Sequence, residues 1–107
     1  MRILIILILT SCISFAQTQI TVLHTGDSHS HLEAFGPKDA FNKGTIGGIG
    51  KAAYLINTAK MEDPNALLLH SCDFFTGDLF FNKYLGVPEL QILHLLGCDA
   101  LTIGNHE

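Results

Sequence analysis

The stretch that decides the fold is Ile20-Thr21-Val22-Leu23-His24-Thr25-Gly26-Asp27-Ser28-His29. Residues 20–24 are β-branched and apolar, which reads as a short strand, and Gly26-Asp27 marks its end. The same grammar recurs twice downstream. Ala66-Leu67-Leu68-Leu69-His70 is an apolar run of strand length, which reads as fully buried, and Asp73 follows it. Ala100-Leu101-Thr102-Ile103 reads as a third strand, and Gly104-Asn105-His106-Glu107 follows it. Residues 34–48 hold Gly36-Pro37, Asn42, Gly44 and Gly47-Gly48 and read as loop. Residues 49–61 then place Ile49, Ala52, Ala53, Ile56 and Ala59 at helical spacing, and Asp63-Pro64-Asn65 ends that helix. After a turn at Gly77-Asp78, a short helix from Leu79 is expected. A further helix starts at Pro88 and carries Leu90, Leu93, His94 and Leu96 to Gly97. The order β-α-β-α-β implies an α/β domain with a parallel sheet and right-handed crossovers.

In such sheets, ligands bind beyond the carboxyl ends of the strands. Asp27, Asp73 and Asn105 all follow strand ends, so they are expected to converge on one rim, with His29 and His106 beside them. Carboxylate, imidazole and amide oxygen are the donors that a pair of divalent cations needs, and paired cations are a device for attacking phosphate esters. Each residue also has an ordinary structural reading. Asp27 suits a turn, Asp73 could cap the element beginning at Phe74, and Asn105 could be held by its own backbone. His24 and His70 read as strand residues with satisfied ring nitrogens, and His94 as helix packing. His31 is a loop residue whose spacing names no partner. The coincidence of three acidic or amide residues at three successive strand ends favours the shared site.

Residues 1–16 read as a targeting leader. Met1-Arg2 is a short basic start, residues 3–9 are unbroken Ile and Leu, and Ser14-Phe15-Ala16 offers a signal-peptidase site before Gln17. A second reading is a lipoprotein signal, because Leu9-Thr10-Ser11-Cys12 resembles a lipobox with Cys12 lipidated. Both readings export the protein, to the periplasm or the cell exterior, and membrane attachment is expected only through Cys12. The net charge is −4 and no basic cluster is present, which argues against a nucleic-acid polymer as partner. Cys72 and Cys98 fall at opposite ends of successive parallel strands. A five-residue strand is roughly 16 Å long, and a disulfide needs Cα atoms within about 7 Å, so both are expected to be free.

At these residues the chain resembles the 5′-nucleotidase family of calcineurin-like metallophosphoesterases. Residues 20–32 are similar to its first signature. Residues 67–77, with Asp73, Phe75 and Gly77, are similar to its Gly-Asp-x-Phe-x-Gly segment, and residues 95–107 to its asparagine–histidine signature. The resemblance implies an α/β sandwich and two divalent metal ions (Zn, Mn or Mg). Asp27 and His29 would be ligands of the first metal, Asp73 the bridge and Asn105 a ligand of the second. His106 would stabilise the phosphoryl transition state and assist the leaving group, with Asn105 and His106 also meeting substrate. The implied activity is hydrolysis of nucleoside 5′-monophosphates to nucleoside and phosphate, through a hydroxide shared by the cations. A 2′,3′-cyclic-nucleotide phosphodiesterase, a nucleotide-sugar diphosphatase or a non-catalytic fragment are the alternatives. The partner is a nucleotide or other small phosphate ester. Gly26 stands where Asn is usual, Cys98 where an aromatic is common, and Cys72 replaces the Gly before the bridging Asp, where a thiol could become a soft extra ligand. Residues 17–107 are expected to be the N-terminal part of a larger catalytic domain, inactive without further ligands.

Overall fold

A computed structural model of the chain describes residues 17–36 and 46–107. The leader, Cys12 and the loop positions Pro37, Asn42 and Gly44 lie outside the described residues. Three strands, β1 (Val22–Gly26), β2 (Leu67–Ser71) and β3 (Ala100–Thr102), form one parallel sheet in the order β1-β2-β3. The register pairs Val22 with Leu67 and Gly26 with Ser71, and Ser71 in turn with Thr102. Gly26, Ser71 and Thr102 therefore end their strands side by side. Pairing sets strand limits slightly later than apolar character alone implies. Ala66 is buried, but its N–H donates to the Asp63 carbonyl in the preceding turn and so stays out of the ladder.

The first crossover is helix α1 (Ile49–Glu62), and the second holds two helices, α2 (Leu79–Tyr84) and α3 (Val87–Leu95). The Asp78 side chain accepts from the Leu79 N–H at 2.5 Å and caps α2. Pro88 sits in the first turn of α3, where its missing N–H costs nothing. Lys60 in the last turn of α1 donates to the carbonyls of Leu96 and Gly97, which ties the end of α1 to the end of α3. The loop before α1 also contains an antiparallel bridge between Phe35 and Ile46 that the sequence pattern does not announce.

Right-handed crossovers between neighbouring strands carry α1 and α3 to one face of the sheet. Ile56, Leu68 and Leu96 form the buried centre there, with Leu23, Ile49, Ala53, Ile92 and Cys98 packed around them. One-sided cover corrects the reading of β2 as buried throughout. Leu68 is 0% exposed and His70 is buried, but Leu67, pointing the other way, is 41% exposed. Helix α3 also differs from expectation. Its inward stripe is Glu89, Leu93 and Leu96, so His94 is exposed and is not a packing residue. Glu89 is buried with its Oε1 accepting from the buried Ser30 hydroxyl, while its Oε2 has no partner among the described residues.

His70 is only half satisfied, contrary to the sequence reading. Its Nδ1 meets Thr25 Oγ1 at 2.8 Å, while its buried Nε2 has no partner among the described residues. Burial holds its pKa below the ordinary value. The carboxylates of Glu107 and Asp27 pull the other way without cancelling the effect, and His24 adds to the lowering. The folded state thus binds this proton less well than the unfolded state does. Stability from neutral His70 is present above the ordinary imidazole pKa of about 6.5 and is lost as pH falls from there through the lowered folded value. Thermal unfolding midpoints should therefore decline from pH 7.5 to pH 5.5. His70→Gln should flatten that decline, and an unchanged slope in the variant would show that another group is responsible.

Candidate metal centre

The three strand ends continue into three loops that are laced together by their backbones. Asp27 N–H donates to the carbonyl of Cys72 at 3.2 Å, His29 N–H to Asp73 at 3.0 Å and Ser30 N–H to Phe74 at 3.2 Å. Asp27, His29 and Ser30 thus meet three successive carbonyls of the second loop, and Ser28 is passed over. The third loop joins through Glu107. Its carboxylate accepts from the N–H groups of Asp73, Phe74, Phe75 and Gly104 at 2.7–3.0 Å. Burial opposes ionisation of Glu107, but the backbone donors of Gly104, Phe75, Asp73 and Phe74 outweigh it and lower its pKa.

This lacing imposes unusual backbone. Asp27, His29, Ser30, Cys72, Asp73 and Thr76 all have positive φ, between 34° and 58°. Left-handed backbone outside glycine is held at a cost of about 1–3 kcal/mol per residue and clusters at functional sites. Two glycines make the close approach possible. A Cβ on Gly77 would lie 2.6 Å from the His29 carbonyl oxygen, and one on Gly104 would lie 2.0 Å from Asp73 Oδ1.

Two groups of possible ligand atoms result, each with its atoms within 4.8 Å of one another. One is His29, Asp73 and His106, and the other is Asp27, Cys72 and Asp73. Asp73 belongs to both, as a bridging carboxylate must. Asp27 and His29 fall in different groups. Asn105 lies beside His106 in the turn after β3, with its side chain exposed. The donors suit cations. His29 Nδ1 lies 3.1 Å from the Thr76 carbonyl oxygen. A carbonyl only accepts, so Nδ1 carries the proton and Nε2 keeps its lone pair free for a metal. The His29 and His106 rings meet edge to face at 4.8 Å, and His106 N–H donates to Asp73 Oδ1 at 3.3 Å. Desolvation raises the Cys72 pKa, and the charges of Asp73 and Asp27 raise it further.

Several residues of the site escape sequence reasoning. Thr76 Oγ1 lies 2.6 Å from His106 Nδ1, so Thr76 serves both histidines. Glu107 and Thr102, whose Oγ1 accepts from the Cys72 N–H at 3.2 Å, are further examples. The sequence pattern names no role for Glu107, and its only signal is its place beside His106. A cleft of about 430 Å³ lies between α1 and α3, lined mainly by apolar residues such as Leu55, Ile56 and Ile92. It reaches Gly26, Ser28 and Phe74 beside the rim, but none of Asp27, His29, Cys72, Asp73 or His106 lines it, so it is distinct from the candidate site.

Glu107→Gln weakens the clamp on the Asp73 loop. Metal affinity measured by titration calorimetry on the full-length protein should fall roughly 10–100-fold, the usual effect of losing a group that orients a ligand. Because the folded Glu107 pKa is lowered, its contribution is complete above the ordinary carboxylate value of about 4.3 and disappears only as pH falls below that through the folded value. An unchanged affinity at neutral pH would remove Glu107 from the site's support.

Known proteins resemble this chain in sequence and in fold. The chain is 38% identical over 88 residues to the trifunctional nucleotide phosphoesterase protein YfkN of Bacillus subtilis, covering 82% of this chain and 5% of that one. It is 34% identical over 92 residues to the 5′-nucleotidase of Rattus norvegicus, covering 83% of this chain and 16% of the relative. The crystal structure of a 5′-nucleotidase precursor from Thermus thermophilus superposes with a TM-score of 0.71 at 33% identity, over 82% of this chain and 17% of that one. No family model matches the chain. The chain thus spans about a sixth of the length of the 5′-nucleotidases that it matches. In sequence and in its parallel α/β fold, it belongs to the 5′-nucleotidase family of calcineurin-like metallophosphoesterases.

Proposed function

We propose that this protein is an exported phosphoesterase that hydrolyses nucleoside 5′-monophosphates at a two-cation centre. The observation that carries the reading is the sharing of Asp73 between two ligand groups on one rim of a parallel sheet. Asp27, His29, Asp73 and Asn105 would hold the ions, which when bound supply Lewis acidity toward the phosphate oxygens. The protein's own contribution is placement. Glu107 fixes the Asp73 loop, and the Thr76 carbonyl fixes the His29 tautomer. His106, held through Nδ1 by Thr76 Oγ1, would turn its Nε2 toward the phosphoryl group and the departing oxygen. Asn105, exposed beside it, would meet a phosphate oxygen from the same turn.

In the full-length protein, Asp73→Asn should lose at least one metal per chain by elemental analysis and lower AMP turnover by more than about 100-fold, beyond the range for a merely orienting group. A variant with both metals and normal turnover would end the bridging assignment. Assays with AMP, bis-p-nitrophenyl phosphate and a nucleotide sugar should give the highest kcat/KM for AMP. The broad name of the Bacillus relative makes a wider range of nucleotide esters the second reading, which a preference for the diester or the nucleotide sugar would establish instead.

Export rests on the basic start, the apolar run and Ser14-Phe15-Ala16. No helix among the described residues is long and apolar enough to cross a membrane. N-terminal sequencing of the exported protein should begin at Gln17. A lipid-modified Cys12 would show membrane anchoring instead.

A further inference from the structure

Cys72 occupies a position where its side chain is costly. Its φ of 34° lies in the left-handed region, which glycine enters freely and a residue with a Cβ does not. The family pattern has glycine at this place, so this chain carries a thiol where the backbone favours none. The thiol is also well placed. Its sulfur lies within 4.8 Å of a carboxylate oxygen of Asp27 and of Asp73. Its own N–H is fixed from β3 by Thr102 Oγ1, so the residue is anchored from two strands. Space around it is kept by Gly104, whose missing Cβ would sit 2.7 Å from the Cys72 Cβ. On the other side of Asp73, His29 and His106 form a second group of possible ligands that shares this carboxylate.

We propose that Cys72 Sγ is a protein ligand of the cation held by Asp27 and Asp73, and that it makes this position selective for thiophilic divalent ions such as Zn²⁺, Co²⁺ or Cd²⁺ over Mg²⁺ and Mn²⁺. The inference rests on the two-cation reading above. Carboxylates alone accept hard and borderline ions nearly alike, whereas one thiolate shifts the preference toward soft ones. The S–H bond of Cys72 breaks, its proton passes to solvent, and a sulfur–metal bond forms, so binding releases one proton more than in a chain without the thiol. Within the site the ligands become unequal. The Asp27–Cys72 side is soft, and the side of His29 and Asn105 keeps nitrogen and oxygen donors.

The test uses the full-length protein, stripped of metal and titrated with Co²⁺. Visible d–d bands report occupancy of the centre, and a near-ultraviolet sulfur-to-cobalt charge-transfer band reports thiolate ligation. The wild type should show both. Cys72→Gly, which also relieves the backbone, should keep two Co²⁺ per chain and lose the charge-transfer band. Its preference for Cd²⁺ over Mn²⁺ should fall roughly tenfold or more. Cys98→Ala should retain the band, because Cys98 lies before β3, at the far end of the strands, with its thiol donating to the Ala100 carbonyl. Occupied d–d bands without charge transfer in the wild type would overturn the ligand role of Cys72 and leave the two-cation reading standing. Absence of any Co²⁺ binding would overturn both.

Discussion

Four backbone N–H groups converge on the carboxylate of Glu107, and the geometry of the whole rim depends on that convergence. Three donors belong to the loop after β2 and one to the loop after β3. Without an acceptor there, three successive N–H groups beside a half-buried Asp73 would face one another unpaired, at a cost of about 1–3 kcal/mol for each one buried. With it, the loop adopts a left-handed path at Cys72 and Asp73, which is costly above all for Cys72. The loop after β1 then copies this path through its own hydrogen bonds to Cys72, Asp73 and Phe74. One carboxylate thus organises the positions of two others, Asp73 directly and Asp27 at one remove. It belongs to neither ligand group itself.

The sheet was legible in the sequence because its signals are local. Residues 20–24, 66–70 and 100–103 each combine β-forming side chains with a glycine or polar stop, and all three are strands, displaced by up to two residues where pairing register overrides composition. The rim was legible for a related reason. Strand direction alone sends Asp27, Asp73 and Asn105 to one end. What escaped is everything that depends on partners distant in sequence. Glu89 looks like a solvent-facing helix residue until Ser30 is placed against it, and His94 looks like an inward one until the stripe is known. The division of ligands into an Asp27 group and a His29 group also escaped, because it follows from positive φ at adjoining residues and not from the Asp-x-His spacing. Burial along β2 was overestimated since an apolar run cannot say whether one face or two will be covered.

The two sides of the sheet do different work. The helix-bearing face holds the core and the half-satisfied His70, so it is sensitive to acid. The other face carries Val22 and Leu67, each more than 40% exposed, with His24 reaching Ser71 Oγ across the strands at 3.0 Å. Apolar side chains left open on a sheet face are incompatible with long life as a free surface. Relatives about five times the length of this chain have ample further sequence to form a second layer there. The metal rim, at the edge between the two faces, would be bordered by both layers.

The buried link from Ser30 to Glu89 spans 59 positions along the chain. A ribosome adding about 5–20 residues per second takes several seconds to make that span. During this time the segment bearing Asp27 and His29 has already emerged, but it has neither the helix that anchors Ser30 nor the loop that templates its backbone. The candidate ligands made earliest are therefore among the last to acquire a fixed shape. An ion met during translation would find only isolated side chains, so any choice between metals at these residues would fall to the finished polypeptide, in whichever compartment it completes its folding.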